Sequence, residues 1–167
     1  MESFKLGMEA SSGCTGRGRV IGMIWETLLA PDFINAYDAV AEAISTDQSL
    51  AEFLKSRPGP FVPRDAAEVS EHIRKDLVGE VAKSILDGRI EGNQGMHQNT
   101  MGLAAIVYNE EPQSSAWLDW LFEPGKGDIP KILQENLSRD GFSPESSIGY
   151  ATIPIHSFSS LAEVLAH

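Results

Sequence analysis

The residues best equipped for chemistry are crowded into RIEGNQGMHQNTMGLAA, positions 89–105. Asn93 and Gln94 lie between Gly92 and Gly95, and His97 follows shortly after. Glycine tolerates backbone angles that other residues resist, so the spacing predicts a tight turn that opens a helix. A helix N-terminus offers unbonded N–H groups and partial positive charge, which suits an anion. His97, Met101, Ala104 and Tyr108 recur at helical spacing, which places His97 at the head of an inward-looking stripe. Spacing alone leaves two readings open. Either the amides and the imidazole hold a ligand, or Asn93 is only a cap and His97 a core histidine with a satisfied hydrogen bond.

A second group of polar residues lies in SRDGFSPESSIGYATIPIHSF, positions 138–158, which contains Asp140, Glu145, Tyr150 and His156. Pro154 stands four residues after Tyr150 and has no N–H to give the Tyr150 carbonyl, so a helix starts or bends beside this tyrosine. The alternative role for Tyr150 is to anchor a loop by its hydroxyl. Arg17 and Arg19 flank a glycine in GRGRVIGMIWE. They can grip a carboxylate or sulfate, or stand on the surface without a ligand. Metal chemistry finds little support: His72, His97, His156 and His167 are scattered, and no H-x-x-x-H occurs. No G-x-S-x-G elbow, P-loop or dinucleotide fingerprint is present, so no cofactor is expected. Cys14 is the sole cysteine, which excludes an internal disulfide and a cysteine metal cluster; it reads as a free thiol.

The elements that must position these groups read as helical almost throughout. Residues 11–18 form a Gly/Ser loop. Dense apolar residues run from Arg19 to Leu29, where Pro31 is expected to break or restart the helix. Phe33, Ile34, Tyr37, Val40, Ala41 and Ile44 then make an amphipathic helix. A shorter helix is expected over about 46–55. SRPGPFVPR, with three prolines, must be an extended connection. The clearest helix is 65–87, where Asp65 and Glu68 resemble a capping box, Val69, Ile73, Leu77, Val81 and Ile85 form one stripe, and Gly88 is the stop. At the helical rise this rod is roughly 35 Å long. Further helices are expected over about 95–108, in PQSSAWLDWLFEP, in DIPKILQENLSRDG with Gly141 as its stop, and over about 153–166. GLAAIVY could be a buried strand by composition, but the preceding periodicity favours helix. The fold class is therefore all-α, in antiparallel hairpins, with no self-similar repeat.

Composition narrows the partners. The chain has 167 residues, enough for one domain with a core, with 42% apolar and 22% charged residues. Its net charge of −11 argues against nucleic-acid binding, which needs a basic footprint. The last third, after Tyr108, is the most acidic part, so a polyanionic ligand would need a local basic pocket, using the arginines of the first two thirds. The N-terminus lacks the apolar core of a signal peptide, and no run approaches the ~20 apolar residues that span a bilayer. A soluble chain without membrane contact is expected.

Two segments together resemble a known family. GNQGMHQNTMGLAAIVYNEE…WLDWLF followed by RDGFSPESSIGY is similar to the helical domain of heparinase II/III-like polysaccharide lyases, over a stretch from about Arg17 to the C-terminus. The carrying features are the Gly-Asn turn opening a helix and the DG-x-x-x-E-S-x-x-x-Y pattern. The resemblance implies that residues 1–167 are a single helical domain, part of an incomplete (α/α) toroid, and a fragment lacking the family's β-sandwich. It implies β-elimination on a uronate-containing polysaccharide, with Asn93, His97 and Tyr150 catalytic and with Gln94, Arg17, Arg19 and Glu145 contacting substrate. No metal is implied. Secreted or periplasmic placement is implied for full-length members, and self-association for a surface left bare by the missing domain. Gln94 and Ala151 stand where many relatives carry histidine. A non-catalytic helical module binding a glycan or a protein is the other function class.

Overall fold

The structure, a computed structural model, describes residues 23–136 and 148–166. They are all-helical, with no strand among them. Helix α1 spans Met23–Thr46 and α2 spans Gln48–Lys55. Helix α3 runs through Ala66–Ile73, widens into a π-helical turn at Arg74–Gly79 and resumes over Glu80–Leu86. Helices α4 (Met96–Tyr108), α5 (Gln113–Phe122), α6 (Ile129–Asn136) and α7 (Ile148–Leu165) follow.

Pro31 does not break α1, contrary to the sequence expectation. A proline inside a helix removes one hydrogen bond and crowds the preceding turn, at a cost of ~3 kcal/mol. Burial of Ile34 and Tyr37 around it outweighs that cost, since a large apolar side chain contributes ~1.5–3 kcal/mol when fully buried, and Ala30 is buried beside them. Tyr37 also directs its hydroxyl to the Ser70 carbonyl at 3.2 Å and so ties α1 to α3.

Helix α3 begins where Asp65 accepts from the Glu68 N–H at 2.9 Å. The reciprocal bond of a capping box is displaced by one residue: the Glu68 carboxylate takes the Arg64 N–H at 2.5 Å. Apolar residues spaced by four drift roughly 40° per step on an ideal helix. The π turn absorbs part of that drift, and Val69, Val81 and Ile85 all stay buried. The helix ends as a Schellman motif, with Gly88 donating to Ile85 at 3.0 Å and Arg89 donating to Ser84 at 2.8 Å.

Helix α4 is the centre of the molecule, packed against α1, α3, α5 and α7. Its residues from Thr100 to Ala105 are buried. Met101 and Ala104 meet Ile34, Val78, Leu121 and Leu161 in one core. Gly102 leaves the space that Leu161 occupies, so α7 lies close along α4. Arg74, within the π turn, fastens the far end of α4: it donates to the Tyr108 carbonyl at 3.0 Å, pairs with Glu110 at 2.8 Å and with Glu71, and lies over the Tyr108 ring. Trp117, Trp120 and Phe122 divide rather than act as a group. Trp117 is in the core, Trp120 is partly buried against it, and Phe122 is exposed.

Candidate functional site

The turn before α4 is held by two close approaches. Gly95 is the helix N-cap with φ 89, a left-handed angle. A Cβ there would stand 2.7 Å from the Ser157 Cβ of α7. At Gly92 a Cβ would meet the Thr27 Oγ1 of α1 at 2.7 Å. Only glycine fits either position. Between them the Asn93 carbonyl accepts from the Met96 N–H at 2.9 Å, which closes the turn. The Gln98 side chain completes the scaffold: its Oε1 accepts from the Gly95 N–H at 3.0 Å and its Nε2 donates to the Gly127 carbonyl at 3.0 Å.

Two expectations change here. Asn93 is not the cap of α4, because Gly95 takes that position and no side chain caps it. The free N–H groups of the terminus are fewer than spacing implied, since those of Gly95 and Met96 are already bonded. What the turn presents instead is the pair of carboxamides on Asn93 and Gln94, both half-buried.

Helix α7 brings Tyr150 to the same place. Its start lies further back than expected, at Ile148, with Pro154 inside the helix. Tyr150 and Pro154 line a pocket of about 270 Å³ together with Gly92, Asn93 and Gln94. Tyr150 is 55% exposed, so its hydroxyl is open to an entering ligand. Five described residues from two distant segments thus converge, and three of them offer a polar side chain.

His97 is not part of that lining. It sits one residue into α4, half-buried, with its ring edge-on to Trp120 at 6.2 Å between centroids. Its Nδ1 is buried and without a hydrogen-bond partner. Desolvation lowers its pKa, and the Glu91 charge and the Gly92 carbonyl oppose this. The core-histidine reading is thus met in position and, through the Gly92 carbonyl, in one hydrogen bond, while Nδ1 stays without a partner. Arg17, Arg19, Glu145, Asp140 and Cys14 lie outside the described residues, as does the Gly141 stop. His156 is exposed on α7.

Among the described residues no group of three His, Cys, Asp or Glu side chains is placed to hold a metal ion. No described helix is long and apolar enough to cross a membrane. Sequence reasoning missed Gln98, the residue that orders the turn, although a glutamine three places after a helix cap is a recognisable capping signal. It also missed that Pro154 lines the pocket rather than only bending the chain beside it. Comparison with protein-family models, curated proteins and solved structures gives no match to this chain.

Proposed function

We propose that the pocket between the Gly92–Gly95 turn and Tyr150 binds a uronate unit of an acidic polysaccharide, and that the chain is the helical part of a lyase-like (α/α) toroid. One observation carries the reading: the adjacent Asn93 and Gln94 line one pocket with Tyr150, which is far from them in sequence. In β-elimination the C5 proton of a uronate is removed, a C4–C5 double bond forms, and the C4–oxygen bond breaks. The proton is weakly acidic until the neighbouring carboxylate is neutralised by hydrogen-bond donors, because the developing charge flows onto it. The Asn93 and Gln94 amides are such donors. The Tyr150 oxygen takes the C5 proton when ionised and, as the phenol, returns a proton to the departing glycosidic oxygen. His97 acts behind the turn, through the backbone that carries Asn93, rather than on the sugar.

A second reading, a glycan-binding module without catalysis, is favoured by a different feature. Among the described residues that line the pocket, Tyr150 is the only titratable side chain. One experiment separates the two. Polyuronate substrates are incubated with the chain and absorbance near ~232 nm is followed for the unsaturated product of elimination. Growth of absorbance that disappears in Tyr150→Phe, with binding kept, supports the lyase. Binding that is lost in Asn93→Ala, with no absorbance, supports the module. Neither binding nor absorbance defeats both.

A further inference from the structure

A second pocket, larger and of opposite character, lies away from the Asn93 turn. It has a volume of about 480 Å³, within the range of small-molecule sites. Helix α2 contributes Leu50 and Leu54, α3 contributes Val69 and Ile73, and the Pro-Gly connection between them contributes Phe61. Its walls are almost wholly apolar. The charged side chain at its rim is Arg57.

The connection is held in place at both ends. Lys55 donates to the Arg64 carbonyl at 2.6 Å, Pro63 is fully buried, and the Arg64 N–H is bound by Glu68. Pro58 and Pro60 restrict the backbone between, since proline fixes φ. The Phe61 ring stacks on His72 at 3.9 Å and 17°, and His72 is in turn paired with Asp76 at 3.2 Å. The aromatic wall is therefore built and oriented without any ligand. A preformed pocket avoids the ordering cost that weakens binding to a loose one.

Arg57 supplies the polar end. Among the described residues it has no carboxylate partner, and its guanidinium lies 4.7 Å from the Phe53 ring centroid. An unmatched guanidinium is unusual in a chain of net charge −11, where carboxylates outnumber cations nearly two to one. Guanidinium binds carboxylate in a bidentate fork.

We propose that this pocket binds a small amphiphilic carboxylate, such as a medium-chain fatty acid. The apolar body fills the space between Leu50, Leu54, Phe61 and Ile73, and the carboxylate pairs with Arg57. The proposal does not rest on the uronate reading, because the two pockets share no residue.

Decanoate and its neutral counterpart decanol are titrated into the full chain and followed by amide chemical shifts in NMR. Decanoate is expected to give saturable shifts centred on Leu50, Leu54, Phe61 and Ile73. Arg57→Gln, an exposed substitution that leaves the core untouched, should weaken decanoate about tenfold, the effect of losing one charge-assisted pair. Decanol should bind both forms alike. Absence of saturable shifts, shifts centred elsewhere, or decanoate affinity indifferent to Arg57→Gln would each overturn the assignment. So would shifts of these same amides on dilution without ligand, together with a concentration-dependent mass in sedimentation. That result would give the pocket to an apolar side chain of a second copy.

Discussion

At the scale of single residues, Gly95 carries more of the site than Asn93 does. Asn93 presents a side chain, but Gly95 fixes where that side chain stands, through a left-handed φ of 89 and a contact that excludes any Cβ. Gly95→Ala should lose about 2 kcal/mol of unfolding free energy, from backbone strain plus the clash with Ser157. Gly59→Ala is the internal comparison, because a Cβ there meets nothing within 4 Å. It should leave stability within about 0.5 kcal/mol of the parent. Urea unfolding of both variants checks the contrast, and equal losses would discredit the strain account. His97 gives a prediction in pH. Burial lowers its pKa from the ordinary 6.5, so the folded state disfavours the imidazolium. The unfolded chain binds a proton first as pH falls. His97 therefore contributes stability that is fully present above about pH 6.5 and is lost as pH drops towards its folded pKa. Unfolding free energy measured between neutral pH and pH ~5 should fall more steeply in the parent than in His97→Gln. Parallel curves would mean that this imidazole is not the group responsible.

At the scale of elements, much was legible in the sequence, and the failures share a cause. The helix at Ala66–Leu86 and its Gly88 stop were readable because cap, stripe and stop chemistry all agree. Helix α4 was readable from its apolar periodicity alone, which also set aside the strand alternative for GLAAIVY. Pro31 was expected to break or restart a helix and does not, and the helix that carries Pro154 begins at Ile148 rather than near residue 153. Local chemistry disfavours proline inside a helix, but neither position can be judged without the core that packs around it. Ala30 and Ile34 bury one side of the Pro31 turn, and Ala151 and Leu161 hold α7 against α4. The same limit hid the Asn93–Tyr150 pocket: each half was visible, and their meeting depends on how α7 lies along α4. Nothing in SRPGPFVPR beyond its prolines announced the apolar pocket, because its walls come from three separate segments. If packing rather than local preference keeps α1 continuous, removing the proline should help. Pro31→Ala restores an amide donor and should raise stability by roughly 1–3 kcal/mol, read as a higher urea midpoint at unchanged slope. A lower midpoint would show instead that the packing requires proline at this position.

At the scale of the whole molecule, the charge distribution sets a condition on the uronate site. The chain carries −11, and its ligand would be a polyanion. Among the described residues that line it, the pocket holds amides and a phenol but no cation. Amide donors recognise a carboxylate at short range, whereas the field of the whole protein acts at longer range and repels it. Salt screens the long-range part, with a Debye length that shrinks from ~30 Å at 0.01 M to ~8 Å at 0.15 M, and leaves buried hydrogen bonds largely unaffected. Affinity for a polyuronate should therefore rise, by about twofold or more, when ionic strength increases across that range. Calorimetric titration with one uronate oligomer at both salt concentrations measures it. A fall in affinity would mean that basic side chains, of which Arg17 and Arg19 are the sequence's best candidates, dominate the contact instead of the Asn93 turn.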